Sequence, residues 1–226
     1  MAAEGIVTLT LTDPDGARLP DWTPGSHIDL VLPNGTTRRY SLCGDRWDSY
    51  SYRVGVLREP AGRGGSAYVH DELAVGALVE IGGPRNNFRL VTSEEYLFIA
   101  GGVGITPLLP MIVQAEMLGV DFTVLYGGRS RGSMAFLDEL SGYGDRVLIR
   151  PQDEYSLLDL CGALGEYRPE RKVYCCGPSP LLGAVEAECA DWPAGTLRVE
   201  RFEPRSRAHR YATPRSWSSW PGPAPR

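Results

Sequence analysis

Residues 96–107, Tyr96-Leu97-Phe98-Ile99-Ala100-Gly101-Gly102-Val103-Gly104-Ile105-Thr106-Pro107, decide how the chain is read. A continuous apolar run, residues 96–100, enters a glycine turn, and a run of helical character, residues 108–118, leaves it. That pattern is a short buried strand feeding a turn that opens a helix. Gly101, Gly102 and Gly104 let the backbone turn tightly and approach a ligand closely. Thr106 is expected to cap the helix and Pro107 to occupy its first position, where no N–H is needed. Pro110 then falls at the fourth helical position, so a bend or loose first turn is expected. A helix N-terminus with free N–H groups suits a pyrophosphate. The stretch departs from the dinucleotide fingerprint G-x-G-x-x-G, because Pro107 stands where its last glycine would be. By itself it is equally readable as a structural strand–helix turn.

Outward from that turn the period is regular. Strands are expected at 96–100, 122–126, 147–149, 172–176 and 197–202, alternating with helices at 107–118, 133–140, 155–164 and 180–190. Such alternation predicts a five-stranded parallel sheet covered on both faces by right-handed crossovers. Ligands of such sheets sit at the carboxyl ends of strands. A second glycine turn, Cys175-Cys176-Gly177-Pro178, lies at another such end.

Residues 5–90 read differently. Val7, Leu9 and Leu11 alternate with threonines, as in a half-buried strand, and turns follow at Asp13-Pro14-Asp15-Gly16, Pro24-Gly25 and Pro33-Asn34-Gly35. Further strands are expected at 27–32, 37–43, 52–58 and 77–81, with one short helix at 67–73. Short strands at this spacing predict a small antiparallel barrel. Two polar clusters interrupt it: Arg38-Arg39-Tyr40-Ser41, and Gly62-Arg63-Gly64-Gly65-Ser66. Ser66 is a candidate helix cap, and Arg38 and Arg63 can both reach one phosphate. A solvated basic strand beside a glycine-rich hairpin loop accounts for the same residues.

Composition narrows the classes. A net charge of −5 over 226 residues speaks against nucleic acid as the main partner. No apolar run approaches the ~18 residues of a membrane span. The opening MAAEGIVTLTLTD lacks a basic region and an apolar signal core, and five scattered cysteines suit a reducing compartment, so a cytoplasmic protein is expected. Cys43, Cys161, Cys175, Cys176 and Cys189 match no zinc or iron–sulfur spacing, and no metal site is expected. Residues 205–226 hold five arginines, four prolines and two tryptophans without an acidic residue or an apolar period, and read as disordered or as an attachment sequence.

The order RRYS, GRGGS, GGVGITP, CCGP, with a barrel before a parallel α/β domain, resembles the ferredoxin reductase superfamily. Within it the pattern is similar to the phthalate dioxygenase reductase and vanillate demethylase reductase family, over residues 5–204. The resemblance implies an antiparallel Greek-key barrel (residues 1–93) that binds FMN, followed by an NAD(P)-binding α/β domain (94–204) and the tail (205–226). It implies that Arg38, with Arg39 beside it, holds the flavin phosphate side, that Tyr40 packs on the flavin, and that Ser41 hydrogen-bonds near the ring nitrogen that accepts hydride. Gly55, Val56 and Leu57 would line the ring edge. Arg63, Gly64, Gly65 and Ser66 would close on the terminal phosphate, which favours FMN over FAD.

In the second domain the resemblance implies that Gly101, Gly102, Gly104 and Pro107 form the nucleotide turn, with Thr106 between flavin and nicotinamide. Cys176, followed by Gly177 and Pro178, would border the nicotinamide from the other side; a small buried core residue is the alternative for Cys176. Tyr126 and Arg129 match adenosine-binding positions, and Phe202 a shield over the flavin. Ser41, Thr106 and Cys176 are thus the candidate catalytic set. The nucleotide is expected to be NADH by resemblance, although Gly128-Arg129-Ser130-Arg131 offers basic residues that suit the 2′-phosphate of NADPH.

The implied function is an FMN-dependent NAD(P)H oxidoreductase, the reductase component of an aromatic-ring oxygenase system. The family continues into a ferredoxin domain with four cysteine ligands to a 2Fe–2S cluster. The C-x₄-C-x₂-C spacing is absent from this sequence. The acceptor is therefore expected to be a separate ferredoxin or a Rieske-type oxygenase. The alternative is a non-catalytic, flavin-binding fragment of a truncated reductase.

Overall fold

A computed structural model describes residues 2–202. The expected tail at 205–226 lies outside the described residues. The amino-terminal half holds β1 (Ile6–Thr12), β2 (Ser26–Val31), β3 (Thr37–Ser41), β4 (Ser51–Leu57), α1 (Gly65–Asp71) and β5 (Glu80–Asn86). Strands β1 and β4 pair antiparallel, and β2 pairs antiparallel with both β3 and β5. A bridge between Leu42 and Val54 joins the end of β3 to β4. Strands β2, β3 and β4 are thus successive neighbours and β1 returns beside β4, a Greek-key order. Ile28, Leu30, Leu42, Tyr52, Val54 and Val56 fill the barrel.

Strand β5 departs from the expected 77–81 and runs on through Gly82, Gly83 and Pro84. Those residues read as a breaker, yet β5 is an edge strand, where proline is tolerated, and a bulge between His27 and Asp29 absorbs the irregularity.

The second half holds β6 (Glu95–Gly101), α2 (Leu109–Met117), β7 (Asp121–Gly128), α3 (Leu137–Ser141), β8 (Val147–Pro151), α4 (Gln152–Tyr155), α5 (Leu160–Leu164), β9 (Arg171–Cys176), α6 (Ser179–Glu188) and β10 (Leu197–Glu200). All five strands run parallel in the order β10-β9-β6-β7-β8. Strand β6 is buried on both faces, which is why it reads as an unbroken apolar run. Tyr96, Phe98 and Ala100 pack with Met111 and Ile112 of α2, while Leu97 and Ile99 pack with Leu182 and Val185 of α6.

The chain leaves β6 toward β7 and β8, then crosses back to β9 on the other side. The switch in strand order therefore falls between β6 and β9. The segment joining the two halves is pinned there: Tyr174 of β9 donates from its hydroxyl to Arg89 O (3.0 Å) and accepts from Val91 N–H (2.7 Å).

The turn after β6 differs from expectation. Residues Gly102–Ile105 form a 3-10 turn, and α2 begins only at Leu109. Thr106 does not cap it; its hydroxyl donates to Val103 O at 2.9 Å. Pro107 precedes the helix, and Pro110 falls within its first turn, where its missing N–H costs nothing. The expected bend is therefore not needed. The long helices expected at 133–140 and 155–164 are also shorter, because Phe136 and Ser156 adopt positive φ of 63° and 62° and interrupt them.

Candidate functional site at the strand-order switch

The two glycine turns meet. A Cβ on Gly104 would lie 2.3 Å from Cys176 O, and one on Gly101 would lie 2.7 Å from Pro178 Cδ. Side chains at either place would drive the ends of β6 and β9 apart. The turns 101–104 and 176–178 thus form one surface at the carboxyl ends of adjacent strands, where such sheets bind ligands.

The two barrel clusters also meet. Arg38 donates from Nη2 to Arg63 O at 2.8 Å, and its Nε would lie 2.5 Å from a Cβ on Gly65. The guanidinium lies over the glycine loop, and only glycine leaves room beneath it. Gly64, at φ 77°, precedes the first turn of α1, whose leading N–H groups lack intrahelical partners. Ser66 does not cap α1; its hydroxyl accepts from Glu59 N–H at 3.0 Å. Tyr40 Oη is buried without a hydrogen-bond partner among the described residues, and burial pushes its pKa up to about 12 against the opposing pull of Arg38. A neutral hydroxyl donor, a guanidinium and free N–H groups make a donor set suited to a phosphate ester. This arrangement fits a flavin phosphate. Arg39 instead points toward Asp29, 3.7 Å away, as strand alternation dictates.

Barrel and sheet are joined at the same place. Thr106, 2% exposed, puts its Cγ2 2.9 Å from where a Cβ on Gly55 would stand, and the Phe136 ring comes within 3.5 Å of the same point. Ser41 Oγ lies 3.5 Å from Glu200 Oε2. Burial pushes the Glu200 carboxyl up to about 7, against the opposing influence of Arg39 and Ser41. Glu200 also neighbours Cys176 through strand register. Cys176 is fully buried, and burial and the Glu200 charge hold its thiol well above the ordinary range. A thiol held in that range is not a nucleophile.

Two expected side-chain roles, those of Tyr126 and Val56, need correction, and the last strand ends before Phe202. Tyr126 is fully buried; its hydroxyl reaches Gly102 O and Ala135 O, both at 3.2 Å, so it supports the glycine turn and does not face an adenosine. The Val56 side chain belongs to the barrel core and its carbonyl is engaged by His70 at 2.9 Å, so it cannot line a ring edge with its side chain. Phe202 lies beyond the end of β10, not within it, and is 45% exposed. Arg129 is exposed, and its carbonyl accepts from Asp153 N–H at 3.2 Å.

Sequence reasoning passed over Glu200, Arg53, Phe136 and Glu139. Glu200 had a signal, a lone carboxylate at the carboxyl end of a strand with apolar alternation. The other three had none, since their meaning lies in contacts between the two halves. Among the described residues, no group of three or more His, Cys, Asp or Glu could hold a metal ion, and no helix is long and apolar enough to cross a membrane.

No protein-family model matches the chain. It is 44% identical to phenoxybenzoate dioxygenase subunit beta of Ectopseudomonas oleovorans over 202 residues, which is 88% of this chain and 63% of that protein. It is 35% identical to phthalate dioxygenase reductase of Burkholderia cepacia over 218 residues, 94% of this chain and 68% of that one. The solved structure of a phthalate dioxygenase reductase, described as modular for electron transfer from pyridine nucleotides to 2Fe–2S, superposes with a TM-score of 0.84 at 35% identity, covering 88% of this chain and 64% of that one. The chain therefore spans about two thirds of the length of these relatives, and the shared fold is ferredoxin reductase-like.

Proposed function

The chain belongs to the phthalate dioxygenase reductase family, and on that premise we propose that it carries electrons from NADH through FMN toward a one-electron iron–sulfur acceptor of an oxygenase system. Its residues 1–93 form the FMN domain and 94–204 the nucleotide domain. The observation that carries this reading is the meeting of 38–41 with 62–66 and of 101–104 with 176–178, the two pairs being linked through the Ser41–Glu200 contact.

Arg38, Tyr40 and the N–H groups at Gly64 and Gly65 would hold the phosphate end of FMN, and Ser41 would meet the ring. Gly101 and Gly104 pack the two turns together, and Gly102, with open space where a side chain would stand, would leave backbone free for the nicotinamide nucleotide to approach. Bound there, the flavin would take a hydride from NADH and release electrons singly; overall, NADH and two one-electron acceptors yield NAD⁺, one proton and two reduced acceptors. The protein's part is alignment and exclusion of water, for which the buried Thr106 and Cys176 supply close-packed walls. No side-chain base is required for the hydride itself.

NADH is favoured over NADPH by the surroundings of the loop after β7. Arg131, one of the two basic residues there, is engaged by Glu154 through two contacts of 3.3 Å. Asp153, at the start of α4, is tied to the same loop by its backbone N–H, which donates to Arg129 O at 3.2 Å.

The test is purification of the full chain, reconstitution with flavin, and chromatography of the cofactor after heat release. FMN in one-to-one amount, bleached anaerobically by NADH and reoxidised by ferricyanide, supports the reading. FAD as the retained species, or a flavin that NADH does not bleach, overturns it.

A further inference from the structure

Arg53 is an interdomain clamp. It sits in β4, a strand of buried and half-buried barrel residues, and its guanidinium is shared between the two halves of the molecule. Toward the barrel, Nη2 and Nε donate to Cys43 O at 2.6 and 3.3 Å. Toward the nucleotide domain, Nη1 and Nη2 donate to the two carboxylate oxygens of Glu139 in α3, at 2.8 and 2.7 Å. The guanidinium also lies over the Phe136 ring, 5.2 Å from its centroid. A planar fork can satisfy all three partners at once; a lysine ammonium cannot.

The clamp holds something specific. Phe136 has a left-handed backbone, φ 63° and ψ 23°, which a bulky side chain rarely adopts. In that conformation its ring and the Thr106 methyl both close on the place where a side chain on Gly55 would stand. Gly55 heads the stretch proposed to line the flavin ring, and Thr106 ends the proposed nucleotide turn. Glu139 follows Phe136 by less than one helical turn, so the Arg53–Glu139 pair fixes the segment that carries Phe136.

We propose that Arg53 and Glu139 are positioning residues for hydride transfer. By locking α3 to β4 they set how closely the nucleotide turn approaches the flavin-bearing strand. The inference rests on the functional reading above. It makes the pair a determinant of donor–acceptor distance rather than of cofactor affinity. A small misplacement of reacting groups costs rate steeply, so loss of the clamp should appear in the chemical step.

The experiment compares wild type, R53K, E139Q and R53K/E139Q as full-length, FMN-loaded protein. Glu139 is half exposed and glutamine is isosteric, so E139Q should fold and keep FMN. At saturating NADH, anaerobic bleaching should slow about tenfold or more in each single variant, with KM for NADH changed less than about threefold. The long-wavelength charge-transfer absorbance of the nucleotide–flavin pair should weaken. The double variant should be no slower than the worse single variant, as expected of two residues acting as a unit. Amide exchange, read without flavin, should rise at residues 55–57 and 102–106 in E139Q. Unchanged bleaching with unchanged absorbance, or multiplicative losses in the double variant, would overturn the clamp. A wild type that holds no bleachable flavin overturns the functional reading instead; in that case unchanged exchange in E139Q still overturns the clamp, and raised exchange supports it.

Discussion

Ser41 Oγ and Glu200 Oε2 lie 3.5 Å apart, linking the last residue of barrel strand β3 to the last residue of β10 in the parallel sheet. This contact places a carboxyl of pKa about 7 at the junction of the two halves. Its ionisation must respond to pH, and so must the stability of the junction.

Burial raises the Glu200 carboxyl from 4.5 to about 7. Below pH 4.5 it is protonated whether the chain is folded or not. Between those values the unfolded chain releases a proton that the folded chain keeps, so stability falls as pH rises, and the loss is complete above the folded value. The shift corresponds to about 3 kcal/mol at most. E200Q should therefore flatten the fall in urea-denaturation stability across this window. An unchanged pH profile would show that Glu200 is ionised in the folded protein.

Gly104 is the contact point of the two glycine turns, with the Cys176 carbonyl 2.3 Å from the site of an added Cβ. Because the obstacle is backbone, it cannot swing aside. G104A should lose about 1–3 kcal/mol or more in equilibrium unfolding, the range for overpacking a close-packed site. A neutral substitution would mean that the two turns do not touch in solution.

Arg38 is tied to the 62–66 loop and faces the donor set proposed for phosphate. R38A should weaken FMN binding by about 1.5–3 kcal/mol, the range for hydrogen bonds to a charged group. Fluorescence titration of the stripped protein reads this directly, and equal affinity in the variant would move the phosphate elsewhere.

Tyr126 offers a contrast between a core role and a ligand role. Y126F removes the buried hydroxyl that bonds Gly102 O and Ala135 O. It should cost about 1 kcal/mol of stability, while KM for NADH stays as it was. A rise in KM without a stability loss would restore the adenosine role that burial argues against.

Glu154 engages Arg131 beside the loop after β7. E154Q should free that arginine and raise the NADPH-to-NADH ratio of kcat/KM by about twofold to fivefold, in keeping with the strength of an exposed ion pair. A wild type that already prefers NADPH tenfold would contradict the NADH assignment.

The two-part architecture was legible because it is written in local periods. Alternating threonines and apolar residues in β1 mark a half-exposed strand, and the unbroken run in β6 marks one buried on both faces. The same locality misled at β5, where Gly82-Gly83-Pro84 reads as a break, and at residues 106–110, where the helix was placed two residues early. An edge position and an intervening 3-10 turn are properties of neighbours and hydrogen bonds that no period encodes.

By itself, the sequence determined the strand–turn–helix units, the glycine turns and the order of motifs that marks the family, because each depends on residues close in the chain. The tertiary structure alone decided which of those turns touch. Crossing back from β8 to β9 sets Gly104 against Cys176, and docking the barrel on α3 and β10 brings Arg53 to Glu139 and Ser41 to Glu200. These partners lie 72, 86 and 159 residues apart. Strand order and packing, not spacing, bring them together; the same burial takes Tyr126 and Val56 out of reach of a ligand and lifts the carboxyl of Glu200 to about 7.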